Sequence, residues 1–347
     1  MKFGLFGGAR SAGEGSAGDS LGYAKYIDYV LHAEELGYHS VFVVEHHFTG
    51  VGQLSASLNF LSYLAGRTER MRLGTAVVVL PWHNPVLLAE QVATLDLLSN
   101  GRFDFGVGKG YRPPEFQGFS IPIEEASERF EEAMVLLRKA WASGERFSHH
   151  GRRWHFDNIL IEPRPVQQPH PPLWMGAGSF SSIRGAAREG FHLLLDQIAP
   201  IDLIIERVGA YRSELDKLGR PYRPGQIAVC RALQMVRTEE ERQAAYALRT
   251  RVLRAIGGLA RGPGAERYQN IGSHADPGLA SEESALLGTP AEIIARLKKL
   301  EAGGVDYVLL VDPTGSKAAL RAFAEEIMPE FRDTALSAEL AQVGNAP

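Results

Sequence analysis

The strongest constraint on this chain is an alternation. Short apolar runs, often β-branched, take turns with longer segments whose apolar residues recur at three-to-four spacing. The runs are "KFGLFGG" (2–8), "SVFVVEHH" (40–47), "RLGTAVVVLP" (72–81), "RFDFGVGKG" (102–110), "LWMGAGS" (173–179), "FHLLLDQI" (191–198), "IAVCRALQMV" (227–236) and "DYVLLVD" (306–312). Helix-like segments fall between them at 23–37, 57–65, 84–101, 123–141, 182–190, 203–219, 239–253 and 289–304, and another closes the series at 317–331. Continuously apolar strands separated by helices predict a parallel sheet buried under helices. Eight such units match the count of a (β/α)8 TIM-type barrel, the α/β class expected here, with a doubly wound open sheet as the competing architecture. In a barrel, function gathers where the strands end at their C-terminal side.

Two stretches break the alternation. Residues 143–171 carry prolines and histidines without helical period and are expected to form an inserted hairpin and loop after the fourth unit. Residues 255–287 are rich in Gly, Ser and Ala, and a loop that long is expected to be a mobile lid. The whole chain, 1–347, reads as one domain.

Composition narrows the class of partner. A net charge of −4 and no Lys/Arg run give no nucleic-acid footprint. The one cysteine, Cys230, cannot form an internal disulfide. No apolar stretch reaches membrane-spanning length, and the first residues read as a strand rather than a secretory signal. A cytoplasmic protein is expected.

Candidate chemistry sits at the ends of the runs. Glu45, His46 and His47 close the second. Neighbouring strand residues face opposite sides, so His46 and His47 are not expected to share one metal ion. No helical HxxxH spacing completes a metal set, and none is expected. One histidine packing under a loop and the other capping a strand end is the alternative. "FGVGKGY" (105–111) pairs glycines that admit a ligand close to the backbone with Lys109, which suits an anion. A solvated lysine at a strand end is the plain alternative. "MGAGSFSS" (175–182) places glycines and serines before a helix, an arrangement that holds anions, or that simply caps the helix through Ser181 or Ser182.

Taken together, "VVEHHFTG" (43–50), the stretch from "RLGTAVVVLP" to "FGVGKGY" (72–111) and "LLGTPAEIIARLKKLEAGGVDYVLL" (286–310) resemble the bacterial luciferase family of flavin monooxygenases, the N-terminal third being most similar to the alkanal monooxygenase alpha subunit. The resemblance implies a barrel that binds reduced FMN delivered by a separate reductase. It implies a flavin peroxide, formed with O2, that oxygenates an aldehyde or another small organic substrate. It also implies a homodimer. By position, His46 matches the family's catalytic histidine. Ala76 and Val77 match a non-proline cis peptide beside the flavin ring, and Tyr111 and Glu115 fall among cofactor-binding positions. Lys109 stands where luciferase has an arginine on the phosphate, and Ser179 and Ser182 match hydroxyls around it. Gly108 replaces a cysteine and Gly178 an acidic residue. A deazaflavin-dependent oxidoreductase that moves a hydride on the same fold is the alternative.

Overall fold

The computed structural model describes residues 1–50, 53–259 and 283–331. Its strands, in chain order, are β1 (Lys2–Gly7), β2 (Ser40–Val43), β3 (Arg72–Thr75), β4 (Val78–Val79), β5 (Phe103–Gly108), β6 (Phe147–His150), β7 (His155–Ile159), β8 (Leu173–Gly176), β9 (His192–Leu195), β10 (Ile227–Met235), β11 (Leu286–Gly288) and β12 (Tyr307–Val311). The helices are α1 (Gly15–Glu35), α2 (Ser57–Ala65), α3 (Pro85–Leu98), α4 (Pro113–Gly118), α5 (Ala126–Ser143), α6 (Phe180–Arg188), α7 (Ile201–Lys217), α8 (Glu239–Leu259), α9 (Pro290–Ala302) and α10 (Lys317–Glu326).

Parallel pairing runs β1, β2, β3, β5, β8, β9, β10, β12 and back to β1, so the sheet closes on itself. The eight strands of this ring are the eight apolar runs of the sequence, each followed by helix, and the architecture is the TIM-type barrel. β2, β5 and β12 are buried along nearly their whole length, which is why they read as continuous apolar runs and not as alternating ones.

The barrel's interior is closed by a layer of Phe42, Trp174, Leu194, Ala228, Cys230, Tyr307 and Leu309. The much larger second core packs strands against the helical ring. On the interior layer sit the partly buried Phe6, Ala76, Val77 and Val311. An apolar floor therefore lies beneath the C-terminal mouth.

Four local readings of the sequence are corrected. Helix α1 starts eight positions earlier than its apolar stripe implies. Its first turns carry glycines, because the loop after β1 folds back onto them: a Cβ at Gly22 would stand 1.7 Å from the Arg10 carbonyl. β2 stops at Val43, so Glu45, His46 and His47 lie in the loop beyond it. The third run breaks into β3 and β4 at a cis peptide between Ala76 and Val77, and continues as a short 3-10 turn. Ser179, not Ser181 or Ser182, caps α6, which begins one residue later at Phe180.

Between α5 and β8, β6 and β7 form an antiparallel hairpin outside the barrel. The segment expected to act as a lid begins within α8 and ends at β11; its residues 260–282 lie outside those described. Among the described residues, no helix is long and apolar enough to cross a membrane.

Candidate active site

The mouth of the barrel is assembled from loops that leave β2, β3, β5 and β8. The loop after β2 is held by backbone bonds on two sides. Val44 N–H donates to the Gly7 carbonyl at 2.9 Å, and His46 N–H to the Leu54 carbonyl at 3.0 Å. These bonds leave Glu45 and His47 to pair with each other and His46 to face Glu115.

Glu45 is almost fully buried, at 3% exposure. Its Oε2 accepts the Val79 N–H at 2.8 Å. Its Oε1 accepts from His83 Nε2 at 2.8 Å and from His47 Nε2 at 3.0 Å. Burial opposes its charge, but the bonds from His47, His83 and the Val79 N–H outweigh burial and hold the carboxyl below the usual carboxylate range. Glu45 thus ties the loop after β2 to β4 and to the turn that follows it.

His46 turns the other way. Its Nδ1 lies 3.1 Å from Glu115 Oε1. The same oxygen accepts the His47 N–H at 3.0 Å, so it acts as an acceptor and His46 Nδ1 is the donor. No hydrogen bond among the described residues engages His46 Nε2. Burial is the largest influence on the ring and lowers its pKa; Glu115 opposes this, and the balance stays below the ordinary imidazole value. At neutral pH His46 is therefore uncharged, with a lone pair on Nε2.

Glu115, on α4, is 3% exposed and lies 3.7 Å from Arg112 Nη1. Arg112 is 4% exposed, and among the described residues its Nε and Nη1 find no hydrogen-bond partner. Its guanidinium lies 5.4 Å from the centre of the Tyr111 ring. Around His47 an aromatic wall forms: Trp82 at 5.4 Å, Phe119 at 4.8 Å and Phe48 at 5.8 Å between ring centres.

The floor is shaped by small residues. Thr75 Oγ1 donates to the Gly106 carbonyl at 2.8 Å and accepts the Gly106 N–H at 2.9 Å, which fixes β3 to β5 just before the cis peptide. A Cβ at Gly108 would stand 2.5 Å from Val77 Cγ2, and one at Gly176 3.7 Å from Val77 Cγ1. Val77 lies across the ends of both strands, and Gly108 is the residue that lets it do so.

The residues expected to meet an anion divide into two groups. Ser179 Oγ accepts the Ser182 N–H at 3.2 Å and lies 2.9 Å from Ser182 Oγ, at the head of α6 beside Gly178. Lys109 instead reaches α5: its Nζ donates to Ser127 Oγ at 3.2 Å, pairs with Glu131 at 3.8 Å and sits 5.5 Å from the Phe130 ring centre. No hydrogen bond joins Lys109 to Ser179 or Ser182. His46 and Glu115, by contrast, are brought together, so Glu115 touches the histidine.

Sequence reasoning gave no role to Glu45, His83 and Arg112. Glu45 was named only as part of the end of the second run, and nothing in the sequence links it to its partners Val79 and His83. His83 and Arg112 belong to no spacing motif. Among the described residues, no group of three or more His, Cys, Asp or Glu side chains is placed to hold a metal ion.

Comparison with known proteins identifies the family. The model of the luciferase-like monooxygenases matches residues 1–307. The flavin-dependent trigonelline monooxygenase, oxygenase component, of Acinetobacter baylyi is 29% identical over 337 residues, covering 90% of this chain and 91% of that protein. The crystal structure of the monooxygenase RslO1 from Streptomyces bottropensis superposes with a TM-score of 0.82 and 27% identity, over 95% of this chain and 100% of that one. An F420-dependent secondary alcohol dehydrogenase superposes with a TM-score of 0.72 and 17% identity, over 95% of this chain and 99% of that one, a likeness of fold alone. With a family match over most of its length and a closed barrel whose mouth carries the "EHH" network, the chain belongs to the luciferase-like monooxygenases and is an oxidoreductase.

Proposed function

We propose that the protein is the oxygenase of a two-component system, taking reduced FMN from a separate reductase and using O2 to oxygenate a small organic substrate. An aldehyde is the default substrate, by resemblance. The protein acts as a homodimer in this reading.

The observation that carries the proposal is the mouth itself. An apolar floor of Phe6, Ala76, Val77 and Val311 lies under strand ends stripped of side chains at Gly108 and Gly176. A flat ring system fits against such a floor because Gly108 and Gly176, at the ends of β5 and β8, carry no side chain to hold it off. Ala76, Val77, Gly108 and Tyr111 would hold the isoalloxazine, and Gly178, Ser179 and Ser182 the phosphate at the head of α6. Lys109, whose Nζ is held on α5 by Ser127 and Glu131, would reach that phosphate only by leaving them, and as a lysine it offers a point charge rather than a fork.

Bound reduced flavin supplies the two electrons that activate O2. The chain's own residues do the rest. His46 keeps a proton on Nδ1 against Glu115 and offers Nε2 as a base, then returns that proton as an acid. Glu115 orients the ring and fixes its tautomer. Trp82 and Phe119, with ring centres 5.2 Å apart, pack against the His47 ring.

The deazaflavin reading shares the fold and the floor, so cofactor binding separates the two. Under anaerobic conditions, titration of the protein with reduced FMN and with a reduced deazaflavin is expected to show saturable binding of FMN and none of the deazaflavin at the same concentrations. Binding of the deazaflavin alone would reverse the assignment.

A further inference from the structure

A second cluster of charge lies on the next two strand–helix units. Arg207 is on α7, Arg231 on β10 and Arg249 on α8. Their exposures are 7%, 0% and 1%. Asp196, just past β9, accepts Arg207 Nη1 on Oδ2 at 2.7 Å, and its carbonyl accepts Arg231 Nη1 at 3.0 Å. Arg249 donates to the side-chain and backbone oxygens of Gln197, each at 2.8 Å. Among the described residues, Asp196 is the one carboxylate paired with any of the three.

Among the described residues, the Asp196 carboxylate thus bonds to Arg207 alone, while Arg231 and Arg249 donate only to neutral oxygens. The hydrogen bonds of all three are incomplete as well: among the described residues, Nε of Arg207, Nε of Arg249, and both Nε and Nη2 of Arg231 have no partner. Structural arginines in protein interiors ordinarily have their donors satisfied, and an unpaired buried cation is costly. Losing a proton does not relieve the cost. Burial lowers Arg231 and Arg249 only to about 10, so both stay charged at neutral pH.

The cluster borders the mouth. A Cβ added at Gly178 would lie 3.8 Å from Arg207 Nη2 and 4.0 Å from Asp196 Oδ2. Arg207 and Asp196 thus stand within ordinary contact of Gly178, beside the loop that precedes α6.

We propose that Arg207, Arg231 and Arg249 form an oxyanion site that takes a carboxylate or phosphate group of the molecule to be oxygenated, separate from the flavin. The anion replaces the missing counter-charge and accepts from the unpartnered guanidinium nitrogens. The substrate class narrows accordingly, to small oxyacids. That the anion belongs to a substrate of oxygenation rests on the function proposed above; the anion site itself rests on the arginines alone.

The test uses inorganic phosphate as the probe and the thermal unfolding midpoint as the readout, with ionic strength held constant by chloride. The wild-type midpoint is expected to rise with phosphate and saturate. In Arg207→Gln and in Arg249→Gln, each checked for folding by circular dichroism, the half-saturating concentration is expected to increase roughly tenfold or more. The titration is then repeated with the protein saturated with oxidised FMN, occupancy being read from flavin fluorescence. A phosphate response that survives FMN supports a substrate site. A response abolished by FMN but not by riboflavin assigns the charge to the cofactor's phosphate and overturns the proposal. So does the absence of a saturable rise in the wild type, or an unchanged rise in both variants. A protein that binds no FMN yet keeps the phosphate response would refute the flavin reading and leave the anion site standing.

Discussion

Glu115 Oε1 stands 3.1 Å from His46 Nδ1 and 3.0 Å from the His47 backbone nitrogen, and so joins the loop after β2 to α4 across 69 positions of sequence. That oxygen sets which His46 nitrogen carries the proton. Replacing Glu115 by Gln keeps the shape but offers an amide that can donate as well as accept, so the ring loses its enforced tautomer. Turnover in Glu115→Gln is expected to fall by about 10- to 100-fold with FMN affinity nearly unchanged, the size of a typical general acid–base or second-layer effect. His46→Ala is expected to lose at least as much. Steady-state kinetics beside an FMN titration decide it; loss of FMN binding in step with turnover would place Glu115 against the cofactor instead.

Glu45 makes a different prediction, one of stability. It is buried and accepts from Val79, His83 and His47. Glu45→Gln removes the charge from three hydrogen bonds and turns part of the acceptor into a donor. The expected loss is about 2–4 kcal/mol of unfolding free energy. Chemical denaturation measures it, and a change below about 0.5 kcal/mol would show that the network does not hold the loop.

Gly108 and Val77 are coupled by contact. Gly108→Ala places a Cβ 2.5 Å from Val77 Cγ2, and the expected cost is about 1–3 kcal/mol. In a Val77→Ala background that methyl is gone, and the same change at Gly108 is expected to be nearly neutral. A double-mutant cycle by thermal or chemical unfolding reads the coupling. Additive effects would mean that the strand end relaxes freely.

The barrel was legible in the sequence because its strands are covered on both sides, so each reads as an unbroken apolar run. What the sequence does not carry is contact at a distance. His46 and Glu115 meet through folding alone, and nothing in the spacing of His83 or Arg112 marks them. The cis peptide that breaks the third run at Ala76–Val77 was implied by the resemblance and not by residue pattern, because both residues are as apolar as the strands on either side. Ser179 took the cap because α6 starts one residue after it, while three serines in a row of four positions offered equal sequence signals. Lys109 was placed with the serines by resemblance, but it reaches Ser127 and Glu131, which belong to α5.

Acid should destabilise the fold through its buried neutral histidines. Burial holds His39 down to about 4, and it lowers His46 and His192 as well. Their unfolded value is near 6.5. Because the unfolded chain binds these protons first, stability is full above about pH 6.5 and falls as the pH drops toward the folded values. His39 alone accounts for at most about 3 kcal/mol, given its shift from 6.5 to about 4. His39→Gln is expected to flatten the pH dependence of the unfolding midpoint between pH 6.5 and about 4. An unchanged slope would mean that other groups carry it.

The most direct measurement is rapid mixing of the protein, pre-bound to photoreduced FMN without air, with O2, while the flavin spectrum is followed. The proposed oxygenase predicts a transient absorbance distinct from both reduced and oxidised flavin, outliving the reaction of free flavin and changed in lifetime by His46→Ala. Oxidation at the free-flavin rate without a transient, at a protein concentration shown to bind the cofactor, would contradict oxygen activation at this site.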